Sequence, residues 1–221
     1  MKLAIFDVDG TISDSQTHIT HAMGMGFEAA GLAAPAASAV LQIVGLSLPV
    51  AVARLAPELN GDTQARIVEG YKHSYMTARA ADPAPLYPGA AALLHRLATR
   101  DDMLLAVATG KSRRGLRALI EHHGLNGLFV SLQTADDHPS KPHPSMIATA
   151  LAEAGVGAGD AVMIGDTSYD IEMGRAAGVA TIGVRWGYHP GVELEAAGAH
   201  RMVDDFDALE AALVAHWEIP A

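Results

Sequence analysis

From residue 90 onward the chain alternates between two kinds of text. Short apolar runs at Met103–Ala108, Leu128–Leu132, Ala161–Ile164 and Ala180–Val184 are interleaved with segments of helical spacing at Ala90–Thr99, Ser112–His123, Ser145–Ala154, Tyr169–Ala177 and Ala208–His216. Apolar runs with no polar alternation are what strands buried on both faces require. Strands separated by helices pair in parallel, with helices covering both faces of the sheet. Ser112 is placed to cap its helix and Gly124 to stop it. A further run, Leu3-Ala4-Ile5-Phe6, reads as a strand of the same kind far upstream.

Between that first strand and the others the text is helical, from about Ser15 to Ala81. Ile19, Met23 and Ala30 recur on one face, as do Ile67, Val68, Tyr71 and Tyr75. Breakers at Gly31, Pro35, Gly45, Pro49, Pro57 and Gly61 cut the block into roughly four helices. Pro83, Pro85, Pro88 and Gly89 then mark a boundary. The expected fold is α/β: a Rossmann-like, doubly wound parallel sheet core of residues 1–14 and 87–221, carrying an inserted α-helical cap at 15–86. The stretch between Glu28 and Arg54 has no charged residue and is long enough to cross a bilayer. Its glycines and prolines suit short buried helices of a soluble domain better than a lone spanning helix.

Charge narrows the class of partner. There are 25 acidic residues against 15 Lys and Arg, for a formal net charge of −10. Such a surface repels nucleic acid and anionic lipid, so neither is an expected partner. The absence of cysteine removes disulfides, thiolate catalysis and sulfur-ligated zinc. Lys2 is followed by only four apolar residues before Asp7, too few for a signal-peptide core, and a cytoplasmic location is expected.

In open α/β sheets ligands bind beyond the carboxyl ends of the strands. Four polar groups of residues lie there: Asp7-Val8-Asp9-Gly10-Thr11, Thr109-Gly110-Lys111, Lys141 and Gly165-Asp166-Thr167-Ser168-Tyr169-Asp170. Asp7, Asp9, Asp166 and Asp170 would converge at one sheet edge. Two like charges about 4 Å apart repel by roughly 4 kcal/mol at an effective dielectric near 20, so four together need a cation. With oxygen ligands only, Mg²⁺ is the natural choice. Lys141 adds positive charge, Thr109 a hydroxyl and Gly110 an approachable backbone N–H, all suited to phosphoryl oxygens. A carboxylate at Asp7 can attack phosphorus, and a second at Asp9 can protonate the leaving alkoxide and later deprotonate water. Gly10 gives the loop freedom to turn.

These motifs resemble the haloacid dehalogenase-like hydrolases, in particular the branch with a helical cap after the first strand, such as phosphoglycolate phosphatases. Asp7-Val8-Asp9-Gly10-Thr11 matches the family's DxDGT signature, Thr109 its second-strand hydroxyl, Ser140-Lys141-Pro142 its lysine motif and Gly165–Asp170 its GDxxxD motif. The resemblance implies a phosphatase acting on a small phosphorylated metabolite. In it Asp7 is the nucleophile and Asp9 the acid/base, with Thr109 and Lys141 assisting and Gly10, Thr11 and Gly110 contacting substrate. It further implies Mg²⁺ held by the Asp7 side chain, the Asp9 carbonyl and Asp166, with Asp170 as ligand or support. Dehalogenases and phosphonatases of the superfamily lack an acid at the position of Asp9. Sugar phosphomutases keep it but typically lack one matching Asp170, so hydrolysis is favoured. A phospho-acceptor signalling module uses similar groups in a different order.

Taken singly, each motif has an ordinary reading. DxD is commonly a solvated loop, GDxxxD a capped helix start, and a lone lysine a surface residue. Their joint order after successive strands carries the argument. His18 and His21 sit one turn apart but have no partner acid at ligand spacing. Lys111 and Arg185 follow strands and admit either a phosphate-binding or a structural role. Gly45-Leu46-Ser47 falls where related caps present a specificity loop. Neither the substrate nor the oligomeric state is written in the sequence.

Overall fold

In a computed structural model, which describes residues 1–217, the chain forms one six-stranded sheet with every strand pair parallel. The strands are β1 (Lys2–Phe6), β2 (Met103–Thr109), β3 (Phe129–Thr134), β4 (Ala161–Gly165), β5 (Ala180–Val184) and β6 (Arg201–Val203). Their spatial order is β3-β2-β1-β4-β5-β6. The order reverses beside β1, where the chain first builds β2 and β3 on one flank and then β4, β5 and β6 on the other. Such a switch opens a crevice at the carboxyl ends of β1 and β4.

Alternation along β1 divides the core into two layers. Ala4 and Phe6 face α5 (Ala90–Ala98), α6 (Arg113–His122) and α10 (Phe206–Trp217), against Leu93, Leu97, Leu116, Leu209 and Leu213. Leu3 and Ile5 face α7 (Ser145–Ala154) and α8 (Ser168–Ala176), against Met146, Ile147, Ala150 and Met173. Both layers are buried, which is why the strands read as unbroken apolar runs. The sixth strand and the short α9 (Gly191–Ala197) before it carry no clear period and are additions to the elements expected from the sequence.

Helices α1 (Gln16–Ala29), α2 (Ala37–Leu41), α3 (Leu48–Leu55) and α4 (Gly61–Ala81) stand between β1 and α5. They bury their own cluster, including Ile19, Met23, Phe27, Val40, Val52 and Ile67. The uncharged stretch from Ala29 to Ala53 supplies α2 and most of α3, and among the described residues no helix is long and apolar enough to cross a membrane.

The long helices α1 and α4 approach closely through glycine. A Cβ on Gly26 would lie 2.7 Å from the Ile67 carbonyl, and one on Gly70 would lie 2.9 Å from Ala29 Cβ. Mid-helix glycine costs about 1 kcal/mol relative to alanine. Here the close crossing offsets that cost. Gly26→Val should therefore overpack the crossing and destabilise by about 2 kcal/mol. Thermal unfolding would show a fall of roughly 4–8 °C; an unchanged midpoint would refute the packing argument.

Candidate active site

The sheet positions the site by strand register. Asp7 follows β1 directly, and its N–H donates to the Ile164 carbonyl of β4 at 2.9 Å, extending the ladder by one step. Asp166 follows β4, and Thr109 ends β2. Three adjacent central strands thus deliver their next side chains to one crevice. Asp170 comes from the first turn of α8, where Thr167 caps the helix and Asp170 answers in a reciprocal capping box. The ordinary reading of this motif as a helix start is correct, and it is also what brings Asp170 back toward the sheet.

Asp7, Asp166 and Asp170 each offer an oxygen within 4.8 Å of the others, and all three are buried. Lys141, also fully buried, places Nζ 2.8 Å from Asp7 Oδ1 and 2.6 Å from Asp170 Oδ1. Burial favours the neutral amine, but Asp170 and Asp7 outweigh it, and the lysine is held protonated above its ordinary range. Asp166 accepts from Thr11 Oγ1 at 2.9 Å and from the Tyr188 N–H at 2.9 Å. Burial first, then the charges of Asp170 and Asp7, push its carboxyl well above the carboxylate range. Asp7 is pushed up to about 7, mainly by burial and against the pull of Lys141.

Neither oxygen of Asp7 receives a hydrogen bond, for the ammonium of Lys141 sits beside Oδ1 in an orientation that makes an ion pair and not a directed bond. A buried carboxylate without donors is costly. The donor set is all oxygen. Asp7, Asp9, Asp166 and Asp170 against Lys141 and Lys111 leave two net negative charges when all are ionised. One hard divalent cation, such as Mg²⁺, fits both the charge and the ligand type.

Asp9 lies apart from the three-carboxylate cluster. Its Oδ1 accepts from Ser15 Oγ, and Lys111 Nζ reaches both oxygens at 2.7 and 3.0 Å. Lys111 also donates to Tyr75 Oη of α4 at 2.9 Å. Burial works against its charge, yet Asp9 and Tyr75 raise the ammonium's pKa overall. Thr109 Oγ1 accepts from the Lys111 N–H at 3.2 Å. A Cβ on Gly110 would lie 2.5 Å from the Gly45 carbonyl and 2.8 Å from that of Leu46, so the 45–47 loop rests on this glycine.

Gly10 and Thr11, expected to contact substrate, bond within the loop and to Asp166. The Gly10 N–H donates to the Ser13 carbonyl and the Thr11 N–H to that of Val8, while the Thr11 hydroxyl is committed to Asp166. Gly10 has φ +87°, and a Cβ there would lie 2.1 Å from Asp166 Oδ2. Both residues make room for Asp166 and orient it. Arg185 pairs outward with Glu195 and Asp204, and His18 bonds the Asp82 carbonyl. The sequence offers no functional signal for Ser15, Tyr75 or Tyr188: a serine opening helical text, a tyrosine on an apolar helix face and a tyrosine in a loop carry no motif. Of the two roles its position after β2 admits, Lys111 has a structural one toward Asp9 and Tyr75.

A family model described as haloacid dehalogenase-like hydrolase matches residues 4–184. This chain belongs to that family. A Rhodospirillum rubrum protein named phosphoglycolate phosphatase is 34% identical over 221 residues, covering 94% of this chain and 89% of its own. A Dickeya dadantii protein named "Probable phosphatase IndB" is 33% identical over 208 residues, covering 92% and 90%. Among solved structures, one described as a predicted phosphatase from Clostridium acetobutylicum superposes with TM-score 0.87 at 26% identity over 97% of this chain and 98% of that one. The family member is thus an enzyme of the hydrolase kind, among relatives named phosphatases.

The Asp7 environment sets a pH signature for metal-free protein. Folded Asp7 keeps its proton up to about pH 7, whereas an ordinary aspartate releases it near 3.8. Unfolding in that window releases a proton, so this contribution to stability is full below pH 4 and lost as pH rises through 7. In chelator, the melting point of Asp7→Asn relative to wild type should climb by several degrees between pH 4.5 and 7.5. A difference that stays level would contradict the assignment.

Proposed function

We propose that the protein is a Mg²⁺-dependent phosphatase that hydrolyses a small phosphorylated metabolite through a phospho-aspartate on Asp7. The observation that carries this reading is the buried, donor-free carboxylate of Asp7 at the floor of a cavity, flanked by Asp166, Asp170 and Lys141. A carboxylate that makes no hydrogen bond keeps its lone pairs for a ligand and for attack.

Asp7, Asp166 and Asp170 side chains, with the Asp9 carbonyl, would hold the ion. Bound there, Mg²⁺ supplies positive charge that keeps Asp7 ionised and neutralises phosphoryl oxygen. One oxygen of Asp7 attacks phosphorus in line with the ester oxygen, and the P–O bond to the leaving group breaks. Asp9, having taken a proton from water in the previous cycle, delivers it to the departing alkoxide; Ser15 and Lys111 hold its carboxyl group in place. In the second half Asp9 takes a proton from water, whose oxygen attacks phosphorus and frees Asp7. Lys141 and the Thr109 hydroxyl oppose charge on the phosphoryl group throughout. Gly110 keeps the approach open, while Gly10 and Thr11 act through Asp166. The residues 15–86 serve as a cap on a core of 1–14 and 87–221, excluding water while the acyl phosphate exists.

The named relatives supply the substrate direction, phosphoglycolate being the acid that several of them carry in their names. A second reading, a phosphomutase, draws on a Bacteroides vulgatus structure with a provisional beta-phosphoglucomutase name, TM-score 0.84 at 20% identity, which is likeness of fold. A Mg²⁺-dependent phosphate-release screen over phosphorylated metabolites tests the first reading. Asp7→Asn should lose turnover roughly a thousandfold or more while remaining folded, and excess chelator should abolish it in wild type. Asp9→Asn should lose about a hundredfold to ten-thousandfold. Equal turnover by wild type and Asp7→Asn sinks the mechanism, and isomer formation without free phosphate identifies the mutase.

A further inference from the structure

Above the carboxylates lies a cavity of about 480 Å³. That is within the span of sites for ligands of drug size. Its floor is the strand end, with Asp7, Asp9, Thr109 and Lys111; its roof is the helical insertion. The roof is hydrocarbon. Ile19, Met23, Ile43, Val44 and Leu46 line the cavity and are also members of the insertion's own buried cluster. Beside them Tyr71 and Tyr75 stack with ring centroids 5.6 Å apart and planes within 13°, and both line the same space.

Charge is distributed in the opposite sense. Lys72 and Arg114 line the cavity as exposed side chains, and Arg79 is half-buried. These cations can draw an anionic ester toward an otherwise acidic protein. Lys111 is engaged below with Asp9 and Tyr75. A two-carbon acid attached to a phosphoryl group at Asp7 would occupy the floor and leave the apolar roof facing water. Apolar concavity of this kind gains most from an apolar occupant.

We propose that the cavity is a leaving-group chamber for phosphate monoesters with an extended hydrocarbon body, an aliphatic chain or an aromatic ring. The inference rests on the phosphatase reading of the same site and deepens it. The reaction is unchanged: ester and water give the free alcohol and inorganic phosphate. What the chamber adds is selection by the size and polarity of the alcohol.

Binding of unreactive mimics reads the chamber without turnover. Ethylphosphonate, hexylphosphonate and phosphonoacetate would be titrated into wild-type protein with Mg²⁺ by calorimetry. Each methylene that leaves water strengthens binding by about threefold to fourfold. Allowing for incomplete burial, hexylphosphonate should bind at least about tenfold tighter than ethylphosphonate. Leu48→Trp, which adds bulk at the chamber wall, should erase that gain. Phosphonoacetate, shaped like phosphoglycolate, should bind more weakly than hexylphosphonate. Equal affinity across chain length, tightest binding by phosphonoacetate, or no binding by any of the three overturns the proposal. Ethyl and hexyl phosphate, whose alkoxides leave with nearly equal ease, then separate the two claims. Turnover without chain-length preference defeats the chamber alone; chain-length-dependent binding without Asp7-dependent turnover defeats the phosphatase reading alone.

Discussion

The architecture is organised around an electrostatic conflict: three buried carboxylates at one strand end, held against a single buried lysine. Asp7, Asp166 and Asp170 lie within 4.8 Å of one another, and Lys141 touches two of them. A lone pair of like charges at such a distance costs several kcal/mol even with partial screening. No surface cluster would tolerate this arrangement when the same chains could turn to water. Here they cannot turn, because each is fixed by covalent position at the end of a central strand or in a helix cap. The packed layers on both faces of the sheet hold the conflict in place. In metal-free protein the conflict is relieved by protons that Asp7 and Asp166 hold more tightly than ordinary aspartates, and a cation bound there would replace them.

The supporting residues act by removing freedom from those carboxylates. Thr11 and the Tyr188 N–H fix Asp166, the Thr167 cap fixes Asp170, and Ser15 with Lys111 fixes Asp9. Only Asp7 has no directed donor. That asymmetry sets Asp7 apart from the positioned carboxylates, as the nucleophilic role proposed for it requires. The contacts of Gly10 and Thr11 follow the same logic. A small residue and a short hydroxyl beside Asp166 settle its orientation, and their own amides close the loop.

The sheet was legible because both of its faces are buried, which leaves apolar runs that end where the chemistry begins. The motif residues were legible for the same reason: Asp7, Thr109 and Asp166 stand one step beyond, or at the end of, a run that any reader of the sequence can mark. Strand β6 has three residues, the first of them an exposed arginine, and offers no such run. The contacts of Lys111, Tyr75, Ser15 and Tyr188 depend on how distant segments meet. Tyr188 lies 173 positions from Ser15, and no local period encodes that meeting. Apart from the loop at Gly45-Leu46-Ser47, the roof of the cavity was legible as helix-forming text, since residues that fill a helical core and residues that line a chamber are chemically the same.

The insertion meets the strand ends through neighbours of the site. Gly110, beside Thr109, carries the carbonyls of Gly45 and Leu46; Ser140, beside Lys141, accepts from the Ser47 N–H at 2.8 Å. Tyr169, beside Asp170, donates to the Gln42 carbonyl at 2.9 Å and belongs to the buried cluster of the 15–86 block, against which Tyr188 also packs. Lys111 reaches Tyr75. Net hydrogen-bond contributions are about 1 kcal/mol each. A few such polar contacts around the cavity, together with the packing of Tyr169 and Tyr188 against the cluster of the 15–86 block, join that block to the strand ends. Every contact sits one or two residues from a group in the acidic crevice, so the cavity above the crevice and the charges within it share a single interface.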